Sequence, residues 1–131
     1  RRPPGPAGVS LADVFERTWH ALRRPRAWVM PTSHWAYELD YGHPRDLPPL
    51  LEAAGVDPAQ LARRNDAAAI EFGPDDPDAL PAFLRGLLTI LQGSDFTIAL
   101  PDRNALCTLH HHKQLWWRTT DAEVAEAVAS C

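Results

Sequence analysis

The sequence predicts an α+β fold: a two-layer sandwich whose partly antiparallel sheet ends in a three-stranded meander, about 95–119, with helices on one face. Three observations carry this. Between Asp95 and Thr119 lie three short runs rich in strand-forming residues, separated by the turn signal PDRN and by a second turn near Lys113, and strands joined by such short turns must be antiparallel. Residues 78–92 place Leu80, Phe83, Leu84, Leu87, Leu88 and Leu91 on one broad helical face. Further helical signals stand before and after the meander, so helices can cover one side of the sheet.

The elements follow in order. Residues 1–9, RRPPGPAGV, combine three Pro, two Gly and two Arg with almost nothing to bury, the composition of a flexible lead-in to a single domain over 10–131. Ser10 with Asp13 forms a plausible capping pair for a helix whose stripe is Leu11, Val14, Phe15, Trp19 and Leu22 and which Pro25 stops. A strand-like piece surrounds Trp28. From His34 to Tyr41 apolar and polar residues alternate, which predicts a strand with Trp35, Tyr37, Leu39 and Tyr41 facing inward and His34, Glu38 and Asp40 outward. Two short helices follow, one between Asp46 and Gly55, the other starting at Asp57 and Pro58. Residues 67–72, AAAIEF, read as a strand, and Gly93 closes the central helix. Thr120 with Glu123 repeats the capping-box pattern before a short C-terminal helix.

Length and composition exclude several classes. A chain of 131 residues can bury roughly two thirds of its unfolded surface without a metal or disulfide. The net charge of −4, with both signs interspersed, makes no field that would gather nucleic acid or an anionic membrane. Basic charge comes from twelve Arg and the single Lys113; together with abundant Ala, Pro and Gly this reflects coding DNA rich in G and C, as in many bacteria, rather than an RNA-binding tract. Only Cys107 and Cys131 are present, which suits a reducing compartment, and no apolar run approaches the roughly 20 residues that cross a bilayer. The expected location is cytoplasmic, with no membrane partner.

The candidate chemistry lies mostly in residues 107–118. His110 and His112, two apart on a strand, would lie on one face about 6.5 Å apart and could share a Zn²⁺ if His43, Glu38 or Asp40 supplied a third ligand, while His111 points away. Trp116 and Trp117 are adjacent, so on a strand they face opposite sides and one is available to form an exposed patch with Lys113 and Arg118, the pairing of residue types enriched at binding hot spots. Trp117 with Arg118 could also stack the bases of a single strand, although no basic stripe or ribonucleoprotein motif accompanies them.

Other motifs are weaker. The run LLEAAGVDPAQLARRN has the cadence of a helix-turn-helix, but Pro48 and Pro49 shorten its first helix and a hairpin packed on the sheet accounts for it. Cys107, between Leu106 and Thr108 within a strand, reads as an inert buried thiol. Ser33 beside His34 lacks a nucleophile elbow, and Asp75, Asp76 and Asp78 suit the start of a helix better than a calcium loop. No phosphate loop or dinucleotide fingerprint indicates a cofactor. The expected function is a non-enzymatic module that binds another protein, as an inhibitor, an immunity-like factor or a regulatory domain. The alternatives are a metal-binding enzyme or sensor centred on His110 and His112, and single-stranded nucleic-acid binding. Nothing in the sequence specifies an oligomeric state.

Overall fold

The computed structural model describes residues 7–63, 68–91, 93–110 and 114–130. Five strands form one open antiparallel sheet: β1 (Ala27–Pro31), β2 (Ile70–Phe72), β3 (Phe96–Leu100), β4 (Ala105–His110) and β5 (Gln114–Thr119), in the order β2-β1-β3-β4-β5. The predicted meander is its right half, with β3 paired to β4 and β4 to β5. The main helices are α1 (Ala7–Ala21), α5 (Ala79–Ile90) and α6 (Ala122–Ser130); between β1 and β2 lie a single turn α2 (Trp35–Tyr37), a π-helical turn (Glu38–Gly42), and the short helices α3 (Leu47–Ala53) and α4 (Pro58–Ala62).

Strand periodicity decides which side of the sheet is core. Val29, Ile70, Phe72, Phe96, Ile98, Leu100, Cys107 and Leu109 are all buried on one face. Onto that face pack Phe15 of α1, stacked on Trp117 with ring centroids 5.8 Å apart, Phe83 of α5 against Phe72, and Trp35 of α2 against Phe96. Helix α5 is the central helix that the sequence implies: Leu80, Phe83, Leu84, Leu87 and Leu88 are buried, and α1 lies alongside it, joined on the surface by Arg85, which reaches both Asp13 and Glu16 at 2.8 Å.

The helix ends show where local signals hold. At the end of α1, Arg23 and Arg24 adopt left-handed backbone and donate their N–H groups back to His20 and Trp19, while the Trp19 indole donates to the Pro25 carbonyl at 2.7 Å. Gly55, with φ of 81°, closes α3 as the sequence predicts, its neighbour Val56 donating to Leu51.

Three expectations are corrected. Residues 34–41 are not a strand. Trp35 and Leu39 are buried, but so is Glu38, while Tyr37 and Tyr41 are 46 % and 76 % exposed, a helical rather than alternating pattern. The chain can coil here because His34 caps the turn, its imidazole accepting from the Tyr37 N–H, and because the polar Glu38 finds partners inside. Secondly, Ser10 lies within α1, which begins three residues before it, so it is not the cap. Thirdly, α6 is capped by Asp121, whose carboxylate accepts from the N–H groups of Glu123 and Val124, while Thr120 is hydrogen-bonded to Asn104.

Helix α5 is the keel of the core. Leu84→Ala, at a fully buried position, is expected to lower the unfolding free energy by about 2 to 5 kcal/mol, read from urea denaturation at constant m-value.

Candidate functional site

Two groups of side chains stand out as more than ordinary packing. The first is a buried polar cluster around Glu38. The π-helical turn carries this side chain inward, where it is 1 % exposed; its Oε1 accepts from His43 Nδ1 at 2.8 Å and from the Ser94 hydroxyl at 3.0 Å, and its Oε2 accepts from the Ser33 hydroxyl at 2.7 Å. Gly42 belongs to the same device, since a Cβ there would collide with Glu38 Oε1. The order of contacts decides its chemistry. A serine nucleophile needs its hydroxyl on the imidazole, whereas here both hydroxyls and the imidazole converge on the carboxylate. The cluster therefore ties the loop before the π-helical turn, the turn itself and the approach to β3 together; it is a joint of the scaffold.

The second group is the outer face of the sheet. Its cross-strand rows follow from the register. One row runs Glu71 on β2, Trp28 on β1, Ala99 on β3, Leu106 on β4 and Arg118 on β5; the next runs Met30, Thr97, Thr108 and Trp116. Leu106 is 42 % exposed and Trp116 54 % exposed, both unusual for large apolar side chains. Grooves lie on both sides of Leu106. One is lined by Trp28, Ala99 and Arg118, the other by Met30, Thr97 and His34.

The electrostatics of this face are uneven. At the β2 edge the guanidinium of Arg26 lies over the Trp28 ring, 5.3 Å from its centroid, and is shared between Asp102 at 2.9 Å and Glu71 at 3.5 Å. The hydrogen bond from Arg26 holds the Asp102 carboxyl below the usual carboxylate range. Glu71 Oε1 also accepts from the Trp28 indole at 2.8 Å. At the opposite edge, Arg118 is exposed and makes no hydrogen bond or ion pair among the described residues.

The residues singled out by sequence divide between the two faces. Trp116 and Arg118 lie on the outer face, together with His110, whose ring stacks on Trp116 at 4.4 Å. Trp117 lies on the inner face against Phe15, which takes its indole away from any outer-face role. His43 is buried and bound to Glu38. His111, His112 and Lys113 fall outside the described residues, and among the described residues no group of three His, Cys, Asp or Glu is arranged to hold a metal ion. Cys107 is fully buried, and that burial pushes its thiol far above the ordinary range, so it has little thiolate to act as a nucleophile. No helix among the described residues is long and apolar enough to cross a membrane.

Sequence reasoning missed Trp28, Met30 and Leu106 as members of the same face. The alternation within each strand was visible, but only the pairing register sets Trp28 level with Leu106 and Arg118. The Glu38 cluster carried no local signal, because its four contributors come from a loop, a π-helical turn and the chain before β3.

Two comparisons test these assignments. Trp116→Ala should change stability by no more than about 0.5 kcal/mol, whereas Trp117→Ala should cost at least about 2 kcal/mol through its lost packing on Phe15; chemical denaturation of both variants decides. Glu38→Ala, which leaves the buried His43 and the Ser33 and Ser94 hydroxyls without their acceptor, should cost about 3 to 5 kcal/mol, and Ser94→Ala only about 1. No protein-family model, curated protein or solved structure matches this chain, so the functional reading rests on its own geometry.

Proposed function

We propose that this chain is a non-enzymatic protein-binding module, inhibitory, immunity-like or regulatory, whose docking surface is the outer face of the sheet. The observation that carries the reading is the large exposure of Trp116 beside that of Leu106 on a single sheet face. Leaving two such side chains in water forgoes roughly 25 cal/mol for every Å² that a partner could cover, and a contiguous apolar patch of this kind marks an interaction site. Trp and Arg are the residue types that most often dominate binding energy, and Arg118 brings to the same surface a guanidinium that has no partner among the described residues.

Other readings find less support. Catalysis would need an activated nucleophile or a base open to substrate, and in the acid–base cluster around Glu38 the hydroxyls and the imidazole converge on the carboxylate rather than on one another. Binding of a single nucleic-acid strand would need several cations tracking a backbone; the outer face presents Arg118 and, at the far edge, Glu71, which shares Arg26 with Asp102 of the β3–β4 turn. A cytoplasmic setting suits a buried free thiol at Cys107.

The reading is tested with a photo-reactive phenylalanine analogue in place of Leu106, irradiated in the producing cell. A discrete protein adduct should form from this position and not from Glu126, which is exposed on α6 in the helical layer. Adding Trp116→Ala should reduce the adduct at least tenfold, as expected of a hot-spot residue. Equal labelling from both positions, or none from 106, would remove the support.

A further inference from the structure

We infer that the occupant of the outer face is the same face of a second copy of this chain, in a two-fold dimer. The inference rests on the docking reading above and adds the identity of the partner. Its basis is the row Glu71, Trp28, Ala99, Leu106, Arg118, which crosses the whole sheet at one level with an acid at one edge, a base at the other and apolar side chains between.

Neighbouring strands are about 4.8 Å apart, so the two charged ends are separated by about 19 Å. A two-fold axis parallel to the strands, midway between two stacked sheets, keeps each residue's level and reverses the strand order. It lays β5 of one copy over β2 of the other. Arg118 then meets the partner's Glu71, and the reciprocal contact forms at the opposite edge. Trp28 meets the partner's Leu106, again twice, and the small Ala99 sits at the axis, where a larger side chain would hold the sheets apart. Stacked sheets are rotated by about 30°, which offsets the charged pair by about 5 Å, within the reach of an arginine stem.

The charges fit this occupant. Arg118 has no partner of its own among the described residues, while Glu71 at the other edge shares the single guanidinium of Arg26 with Asp102 of the β3–β4 turn, leaving one negative charge in excess and Glu71 Oε2 with no hydrogen bond from a described residue. The second row, Met30, Thr97, Thr108 and Trp116, is uncharged, so closing the faces brings no like charges together there. Five strands of about five residues give a footprint of about 400 Å², small beside the roughly 800 Å² per partner of a standard interface, so a weak, reversible dimer is expected and its affinity is sought in the micromolar range.

Sedimentation velocity of the purified chain from about 1 to about 300 µM, a span chosen around that affinity, should show the mass doubling. Arg118→Glu and Glu71→Arg should each weaken the dimer at least tenfold. Mixed in equal amounts, the two variants should recover it, because in the mixed pair both edge contacts are again of opposite sign; native mass spectrometry would show one copy of each. If Glu71→Arg does not fold, the tenfold weakening by Arg118→Glu, at unchanged circular dichroism, decides alone. A wild-type chain that stays monomeric throughout, or folded variants that fail to recover the dimer on mixing, would overturn the inference. The photo-adduct at position 106 separates the two levels: an adduct of one chain with a different protein rejects the second copy and keeps the docking surface, an adduct of twice the chain mass supports both, and no adduct with a monomeric chain rejects both.

Discussion

The pleat of a β-strand sends alternate side chains to opposite faces, and in this molecule both faces of the five-stranded sheet carry large apolar groups. Only one can be covered by the helices available. Helices α1, α5 and α6 close the inner face around Trp19, Phe83, Leu84 and Val124, and the connection between β1 and β2 is used for short turns that seal one end. The outer face keeps Trp28, Met30, Leu106 and Trp116, apolar groups that no helix of the described residues covers.

The scaffold fixes this face by unequal means. On the left the chain must cross from β1 to β2 through a loop, a helical turn, a π-helical turn and two short helices, a path with little regular hydrogen bonding of its own. The carboxylate of Glu38 compensates by accepting three side-chain hydrogen bonds in the interior, from residues as far apart in sequence as Ser33 and Ser94. On the right the meander is held by short turns, with Arg103 of the β3–β4 turn bound to Asp121 at the start of α6. A buried acid–base pair is often the first place to look for catalysis; here the two serine hydroxyls are bound to the carboxylate, not to the imidazole, and the pair holds position for a surface elsewhere.

Much of the architecture was legible in the residues. The apolar stripe of α5 is too wide for a surface helix, which marked it as central, and the turn chemistry of PDRN placed two strands side by side. The adjacent Trp116 and Trp117 had to face opposite ways, and they do: one ring packs on Phe15, the other projects outward. What failed was local ambiguity. In WAYELDY the apolar residues fall at both two-residue and four-residue spacings, and the tie is broken by the burial of Glu38, which depends on Ser94 and His43. Thr120 and Asp121 are both competent caps, and contact between Thr120 and Asn104 leaves the role to Asp121. The outer face was half legible: its tryptophan and arginine were visible in β5, but its partners on β1 and β4 became neighbours only through register.

The central claim is that the outer face is covered when the chain is in its working state. Hydroxyl-radical footprinting measures this directly, comparing oxidation of Trp116 in the producing cell with that in the dilute purified chain and using Tyr41, 76 % exposed on the π-helical turn, as the internal reference. The account predicts that Trp116 is protected several-fold in the cell relative to Tyr41. Equal oxidation of Trp116 in both settings would contradict it.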